Sequence, residues 1–195
     1  MMPGSSKIIP LPEINDEFLV QSTLQGNISA FEKIVLRYRK MLFLFFRSAR
    51  LPNEDAEDLS QETLIKSYRY LKSFNSQFKF KTWILKIAKN CLIDYKNQCK
   101  KNYHQSLDAE GCPPFPSKNP GPYEKTEEKI TLARFQKFLK ELPENFSRVA
   151  TLRYISGCSY EEIAEICQIS LGTVMSRLYR IRKRLVPWQE KEKIR

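Results

Sequence analysis

Ser159-Tyr-Glu-Glu-Ile-Ala-Glu-Ile-Cys-Gln-Ile-Ser-Leu-Gly-Thr-Val-Met-Ser-Arg-Leu-Tyr-Arg-Ile-Arg-Lys-Arg-Leu185 decides the fold of its half of the chain. Ser159 and Glu162 stand in the spacing of a capping box, in which each side chain accepts a hydrogen bond from the other residue's backbone N–H at a helix start. Ile163, Ala164 and Cys167 then face inward at helical spacing. Gln168-Ile-Ser170 breaks the pattern, and Ser170 can cap a second helix beginning near Leu171. Two short helices on a tight turn have the form of a helix-turn-helix, here with no glycine inside the turn.

Val174, Leu178, Ile181 and Leu185 step by four, three and four residues and make one apolar stripe on the second helix. At about 100° per residue, the opposite face carries Gly172, Met175, Ser176, Tyr179, Arg180 and Lys183. Arg177 and Arg184 flank that face on one side and Arg182 on the other. An isolated basic helix with this pattern reads as a solvated surface. The capped helix and tight turn before it favour a major-groove helix, whose first turns reach bases while flanking cations hold phosphates. A membrane-surface helix would keep its apolar side for lipid, whereas this stripe is committed to a partner helix.

Outward from this pair, the chain reads helical again near its beginning. Phe18, Leu19, Leu24, Ile28 and Phe31, then Ile34, Val35, Tyr38 and Leu42, recur at three- and four-residue spacing. Pro52-Asn53 ends that stretch, and Asn53 or Glu54 begins another through Leu59, Thr63 and Tyr70. Phe74 to Lys79 interrupts the periodicity, and a third stretch runs from Thr82 to about Gln98. Its inner stripe is Ile84, Ile87, Ala88, Cys91, Leu92 and Tyr95, with Lys79, Lys81, Lys86, Lys89, Lys96, Lys100 and Lys101 decorating the rest. Phe74, Phe78, Phe80 and Trp83 cluster just ahead of it; cations among aromatics suit unpaired nucleic acid, since bases stack on rings while lysines neutralise phosphate. In so small a domain these rings also serve as core, and Phe80 and Trp83 are expected to be at least partly structural. β-alternation is absent, so the fold class is all-α.

Between the blocks, Gly111 to Pro122 holds five of the chain's 11 prolines. Proline removes backbone donors and fixes φ, so this stretch reads as a flexible, proline-rich linker. The division expected is a tail over 1–14, a domain over 15–100, a linker over 101–127, a helix-turn-helix domain over 128–186 and a tail over 187–195. Charge follows the same boundaries. The formal net charge of +11 resolves into +6 over residues 1–100, −2 over 101–128 and +7 over 129–195. Excess positive charge implies an acidic partner, and its division into two blocks implies two contact surfaces.

Several classes are excluded on composition. Apolar residues make up 42% of the 195 positions, which argues against wholesale disorder. The longest apolar run, Met41–Phe46, is six residues, where a membrane span needs about 20, so no membrane insertion is expected. The N-terminus lacks the apolar region of a secretory signal. Five cysteines without CxxC pairing and a single histidine, His104, fit neither a disulfide framework nor a zinc site; they suit a reducing cytoplasm.

Glu54 to Glu62 places five carboxylates in nine residues at a helix start, more than the helix dipole needs. They form either a docking face for a basic protein or a metal site, though around a helix they mostly splay. Asp55-Ala-Glu-Asp-Leu-Ser-Gln-Glu62, with Phe80-Lys-Thr-Trp-Ile-Leu-Lys-Ile-Ala-Lys-Asn90 and Asp94, closely resembles the second conserved region of bacterial sigma factors. Leu142-Pro143, Arg148-Val149, Leu152-Arg153, Gly157 to Ala164 and Gly172 to Arg180 resemble the fourth. With no further domains, the chain is similar to the extracytoplasmic-function (ECF) subgroup over about residues 15–100 and 128–186.

The resemblance implies a non-enzymatic subunit, without cofactor, metal or small-molecule substrate, that binds core RNA polymerase and directs it to promoter DNA. It implies that Asp55, Asp58, Leu59, Gln61 and Glu62 dock on the clamp of the polymerase's largest subunit. Phe74, Asn75, Phe78, Lys79, Lys81, Trp83, Lys86 and Asn90 would read and open the minus-ten element, with one base flipped into a loop pocket. Arg153, Thr173, Ser176, Arg177, Tyr179, Arg180 and Lys183 would contact the minus-thirty-five element. An anti-sigma factor that clamps both domains is also implied. Met175 stands where the family often has a cation, Tyr179 where histidine or another aromatic is common, and Ile181 where alanine is frequent. The loop Asn75-Ser-Gln77 lacks a glycine often present there. Two other classes share the features read from the residues alone: a helix-turn-helix repressor or activator that binds DNA without polymerase, and a metal-dependent nuclease built on Glu54 to Glu62.

Overall fold

The computed structural model describes residues 15–105 and 127–193. The expected linker therefore lies largely outside the described residues, as does Cys112. Among the described residues there are eight α-helices, one 3₁₀ turn and no strand. The elements are α1 (Asp16–Leu24), α2 (Ile28–Ser48), α3 (Asn53–Arg69), the 3₁₀ turn Leu71–Ser73, α4 (Phe80–Gln105), α5 (Glu127–Glu141), α6 (Glu144–Tyr154), α7 (Tyr160–Cys167) and α8 (Leu171–Lys193). The all-α class and the helix-turn-helix (α7 and α8) follow the sequence reading.

Helix α2 is the axis of the first domain. Ile34, Tyr38, Leu42 and Phe45 repeat at helical spacing and are buried. The run Met41–Phe46 is apolar on nearly every side because α2 is covered nearly all round, by α1, α3 and α4 and, from the second domain, by α6. Tyr38 shows how the pattern handles a polar tip. Its ring lies edge-on to Phe80 at 5.4 Å, and its hydroxyl donates to Asp16, which also pairs with Arg37. Burial, reinforced by Asp16, raises the Tyr38 hydroxyl well above the usual phenol range, so it stays protonated and keeps that bond. In α3 the buried Ser60, Thr63 and Ser67 satisfy their hydroxyls on carbonyls three or four residues back.

In the second domain α8 packs on α6 and α7. Val174, Leu178 and Ile181 are buried with Ile163, and Leu185 is half-buried. Ile166, absent from the sequence reading of α7, is also buried, while Ala164 and Cys167 are only partly so. The capping box is complete: Glu162 N–H donates to Ser159 Oγ at 3.2 Å, and Ser159 N–H to Glu162 Oε2 at 2.6 Å. Ser159→Ala should destabilise the second domain by about 1 kcal/mol, seen as a lower thermal midpoint with helix content retained. The turn into α7 places Gly157 at φ +61°, and the turn out of it places Gln168 at φ 54° and ψ 50°. A glutamine thus holds the left-handed cap position usually given to glycine, which accounts for a helix-turn-helix with no glycine between its helices.

Two helices run past the expected bounds. Helix α4 begins at Phe80 and runs to Gln105, into the expected linker. Helix α5 begins at Glu127, close to the expected start of the second domain. The expected tail over 187–195 is instead helical as far as Lys193, through Pro187. Proline costs a helix one donor, but Trp188 compensates: its ring packs on Phe138 at 5.4 Å and its Nε1–H donates to Glu141 at 3.1 Å. No helix among the described residues is long and apolar enough to cross a membrane.

Candidate nucleic-acid interface

The buried stripe of α8 turns its other face outward, where Met175, Ser176, Tyr179, Arg180 and Lys183 are exposed. Lys183 Nζ lies 5.3 Å from the Tyr179 ring centroid, and Arg177 stacks on Phe146 at 6.0 Å. The hydroxyls near the helix start are held by local bonds: Thr173 Oγ1 and Ser170 Oγ are 2.8 Å apart, and Ser176 Oγ donates to Thr173 O at 3.1 Å. Arg153 stands apart from this face on α6. It donates to the Cys158 carbonyl at 2.8 Å and stacks on Tyr160 at 5.0 Å, bracing the turn into α7.

The second basic surface surrounds the start of α4. Phe80 is buried at 2% exposure and Phe74 half-buried against it and Trp83, with centroids 5.3 and 5.4 Å apart. Phe78 is different: it is 60% exposed, with Lys86 Nζ 5.9 Å from its centroid. The loop is shaped by Asn75, whose Oδ1 accepts from Gln77 N–H at 2.9 Å and whose carbonyl accepts from Phe78 N–H at 3.1 Å. Asn90 is exposed one turn beyond Lys86. Lys89, which the sequence reading set among outward lysines, is buried on α4.

The acidic face is separate from both. Asp58, Gln61 and Glu62 are exposed on α3, with Glu62 paired to Lys66 at 2.7 Å. Asp55 is half-buried and accepts from Tyr95 Oη–H at 2.7 Å. Leu59, grouped with these by resemblance, is buried at 5% exposure and points into the domain. Among the described residues no three His, Cys, Asp or Glu side chains converge as metal ligands.

The first turns of α4 and the preceding loop face α7 across a cleft of about 440 Å3, lined by Phe78, Lys79, Thr82, Trp83 and Lys86 on one side and Glu162 and Glu165 on the other. Sequence reasoning took Glu162 only as a helix cap and did not single out Glu144, Glu165 or Arg50. Their signal was weak but present: Glu162 and Glu165 are adjacent on one helix face, acidic residues in an otherwise basic block. Burial alone would raise the Glu162 carboxyl, but bonds from Ser159, Lys79 and Thr82 hold it below the usual carboxylate range. Glu144 is held low the same way, with Lys96 and Arg148 outweighing burial. The nearby thiols are inert: burial pushes Cys158 up to about 11 and also raises Cys167, so both stay protonated at neutral pH.

Two helical modules, one presenting a polar helix face and the other lysines among aromatics, define a helix-turn-helix protein with two basic surfaces. The sigma-70 region 2 family matches residues 34–101, and the sigma-70 region 4 family matches residues 132–185. The ECF RNA polymerase sigma-E factor of Salmonella typhimurium is 33% identical over 179 residues, covering 88% of this chain and 92% of the relative. The solved sigma factor RpoE of Bartonella quintana, in complex with the anti-sigma factor NepR, is 29% identical with a TM-score of 0.62, covering 82% of this chain and 96% of that one. CnrH, solved with the cytosolic domain of CnrY, shares the fold at 24% identity and a TM-score of 0.60, covering 90% and 97%. The chain belongs to the ECF family of RNA polymerase sigma factors, proteins of promoter-specific transcription initiation.

Proposed function

We propose that this chain binds core RNA polymerase through Asp55, Asp58, Gln61 and Glu62, opens the minus-ten element at the start of α4, and reads the minus-thirty-five element with α8. The observation that carries this reading is the division of α8 into a buried apolar stripe and an exposed face with Ser176, Tyr179, Arg180 and Lys183. Arg180 and Ser176 contact bases there, Tyr179 packs on a base edge, and Arg177 and Lys183 hold phosphates. Thr173 and Arg153 support that face, one at the helix start and the other through the preceding turn. At the minus-ten element Phe78 offers an exposed ring for an unstacked base, with Asn75 shaping the loop and Phe74 and Trp83 backing it. Lys79, Lys81 and Lys86 neutralise the phosphates, and Asn90 extends the row. Leu59 supports the polymerase contact from within, by fixing the helix that displays the carboxylates. The complex of RpoE from Bartonella quintana with NepR supports an anti-sigma partner for this chain as well. The domains proposed are residues 15–105 and 127–193, as the helices bound them.

Run-off transcription by purified core polymerase, with and without the chain, tests the reading on a genomic promoter library. Promoter-dependent transcripts are expected only with the chain present, and their absence from every promoter would refute it. Asp58→Lys should weaken binding to core polymerase about tenfold, measured by fluorescence anisotropy, because it reverses an exposed charge at the interface. Its duplex DNA binding should be unchanged.

A further inference from the structure

Leu171, Met175 and Tyr179 follow one another at four-residue steps along α8, and each is a large apolar side chain left in solvent, 38%, 50% and 60% exposed. The domain core does not use them, because the buried stripe of α8 runs through Val174, Leu178 and Ile181. Tyr179 already has a role in the proposed reading of this face, packing on a base edge, whereas Leu171 and Met175 have none. We infer that Met175, with Leu171 beside it, is a further specificity-determining residue, which receives the 5-methyl group of a thymine in the minus-thirty-five element.

Of the four bases, only thymine presents an apolar group in the major groove, its 5-methyl. Methionine suits a methyl: its thioether chain is unbranched, adapts its shape and asks for no hydrogen bond. The hydroxyls around it are already engaged. Ser170 Oγ and Thr173 Oγ1 lie 2.8 Å apart, and Ser176 Oγ donates to the Thr173 carbonyl at 3.1 Å, so Ser176 meets a base as an acceptor. An acceptor takes the exocyclic amine of adenine or of cytosine alike, whereas a methyl contact selects thymine. Met175 therefore supplies a discrimination that its neighbour Ser176 lacks, and together they match the amine and the methyl that an A·T pair shows in the groove. The approach is open, since a Cβ at Gly172, one turn before Ser176, would meet nothing within 4 Å. Arg180 and Lys183, exposed on the same face, draw the row to a polyanion, and an apolar protein surface laid over it would have to desolvate both cations. Burial of one methyl group contributes about fourfold in affinity.

The inference rests on the reading of α8 as the minus-thirty-five helix, and one set of titrations separates the two. Core polymerase assembled with the full chain is titrated by anisotropy on a promoter duplex whose minus-thirty-five thymines, on either strand, are replaced one at a time by deoxyuridine. That replacement removes the 5-methyl group and leaves every hydrogen-bonding group in place. At one position at least, it should weaken the parent chain about fourfold. Met175→Ala should lose about fourfold on the thymine duplex and show less than about 1.5-fold further loss on the deoxyuridine one, because the methyl and its receptor are a single contact. Met175→Leu, which keeps an apolar side chain, should keep the discrimination. Position 175 is exposed, so the variants should fold as the parent does, and circular dichroism checks helix content. Equal weakening of the parent and Met175→Ala by deoxyuridine overturns the assignment to Met175. No effect of deoxyuridine at any position, with Arg180→Ala still weakening the duplex, overturns the inference and leaves the reading of α8 standing. No effect of deoxyuridine, Met175→Ala or Arg180→Ala overturns both. A fall in run-off transcription with Met175→Ala but no deoxyuridine effect gives the row to a protein partner and likewise overturns the inference.

Discussion

Phe80→Ala is expected to remove about 3–5 kcal/mol of folding stability, while Phe78→Ala, two residues earlier, should stay within about 0.5 kcal/mol of the parent chain. Both are phenylalanines in one short aromatic cluster, and only burial separates them. Phe80 is 2% exposed and meets Tyr38, Phe74 and Trp83, each at 5.3–5.4 Å. Truncating it leaves a cavity where α2 and α4 meet, and the rings around it cannot all collapse inward. Phe78 is 60% exposed with Lys86 as its neighbour, so its loss opens no cavity. Its cost falls instead on nucleic acid: a ring that stacks one base contributes about 1–3 kcal/mol, roughly 5- to 150-fold in affinity for a single strand. Thermal unfolding and oligonucleotide anisotropy on the two variants give a crossed pattern. A stability loss in Phe78→Ala equal to that in Phe80→Ala would mean that the exposed ring is core and not a stacking platform.

That contrast marks where sequence and structure part. Helical periodicity reported the stripe of α8 and most of α2, because residues three and four apart share a face whatever they pack against. It also reported the cap at Ser159, whose partner is three residues away. The structural role expected of Phe80 holds, but how the cluster divides, with Phe74 half-buried and Phe78 exposed, was not legible, since the packing that buries Phe80 depends on Tyr38 more than 35 positions earlier. The expected tail over 187–195 failed for a related reason: the helix runs on through Pro187, held by Trp188 on Phe138 and Glu141. The break at Gln168 was legible, but its left-handed conformation was not, for no glycine announced it. Least legible was the seam between the domains. Lys79 and Glu162 are 83 positions apart, and charge complementarity at that separation has no period to detect. Net charge by block pointed to two DNA-facing modules, and it concealed that the acidic minority of one faces the lysines of the other.

On α8, Arg180→Ala should cost about 1–3 kcal/mol on the preferred minus-thirty-five sequence, and the loss should depend on sequence. The argument begins with the helix. Val174, Leu178 and Ile181 are 1% exposed or less, which fixes the rotation of α8 and turns Arg180 outward beside Tyr179. A guanidinium there presents two parallel donors, and guanine alone offers the matching acceptor pair on its major-groove edge. Its removal leaves that base without a reader, so affinity falls on the preferred site and changes little on a site substituted at that position. Lys183 provides the internal contrast. Its ammonium is one turn further on, 5.3 Å from the Tyr179 ring, and bears a point charge without a fork. Lys183→Ala should weaken all sequences alike and reduce the slope of log affinity against log salt by about 1. The two variants, titrated on duplexes differing at single minus-thirty-five positions, separate base reading from phosphate holding. Uniform weakening by Arg180→Ala across those duplexes would move Arg180 to the phosphate class and leave Ser176 and Tyr179 as the readers on that face.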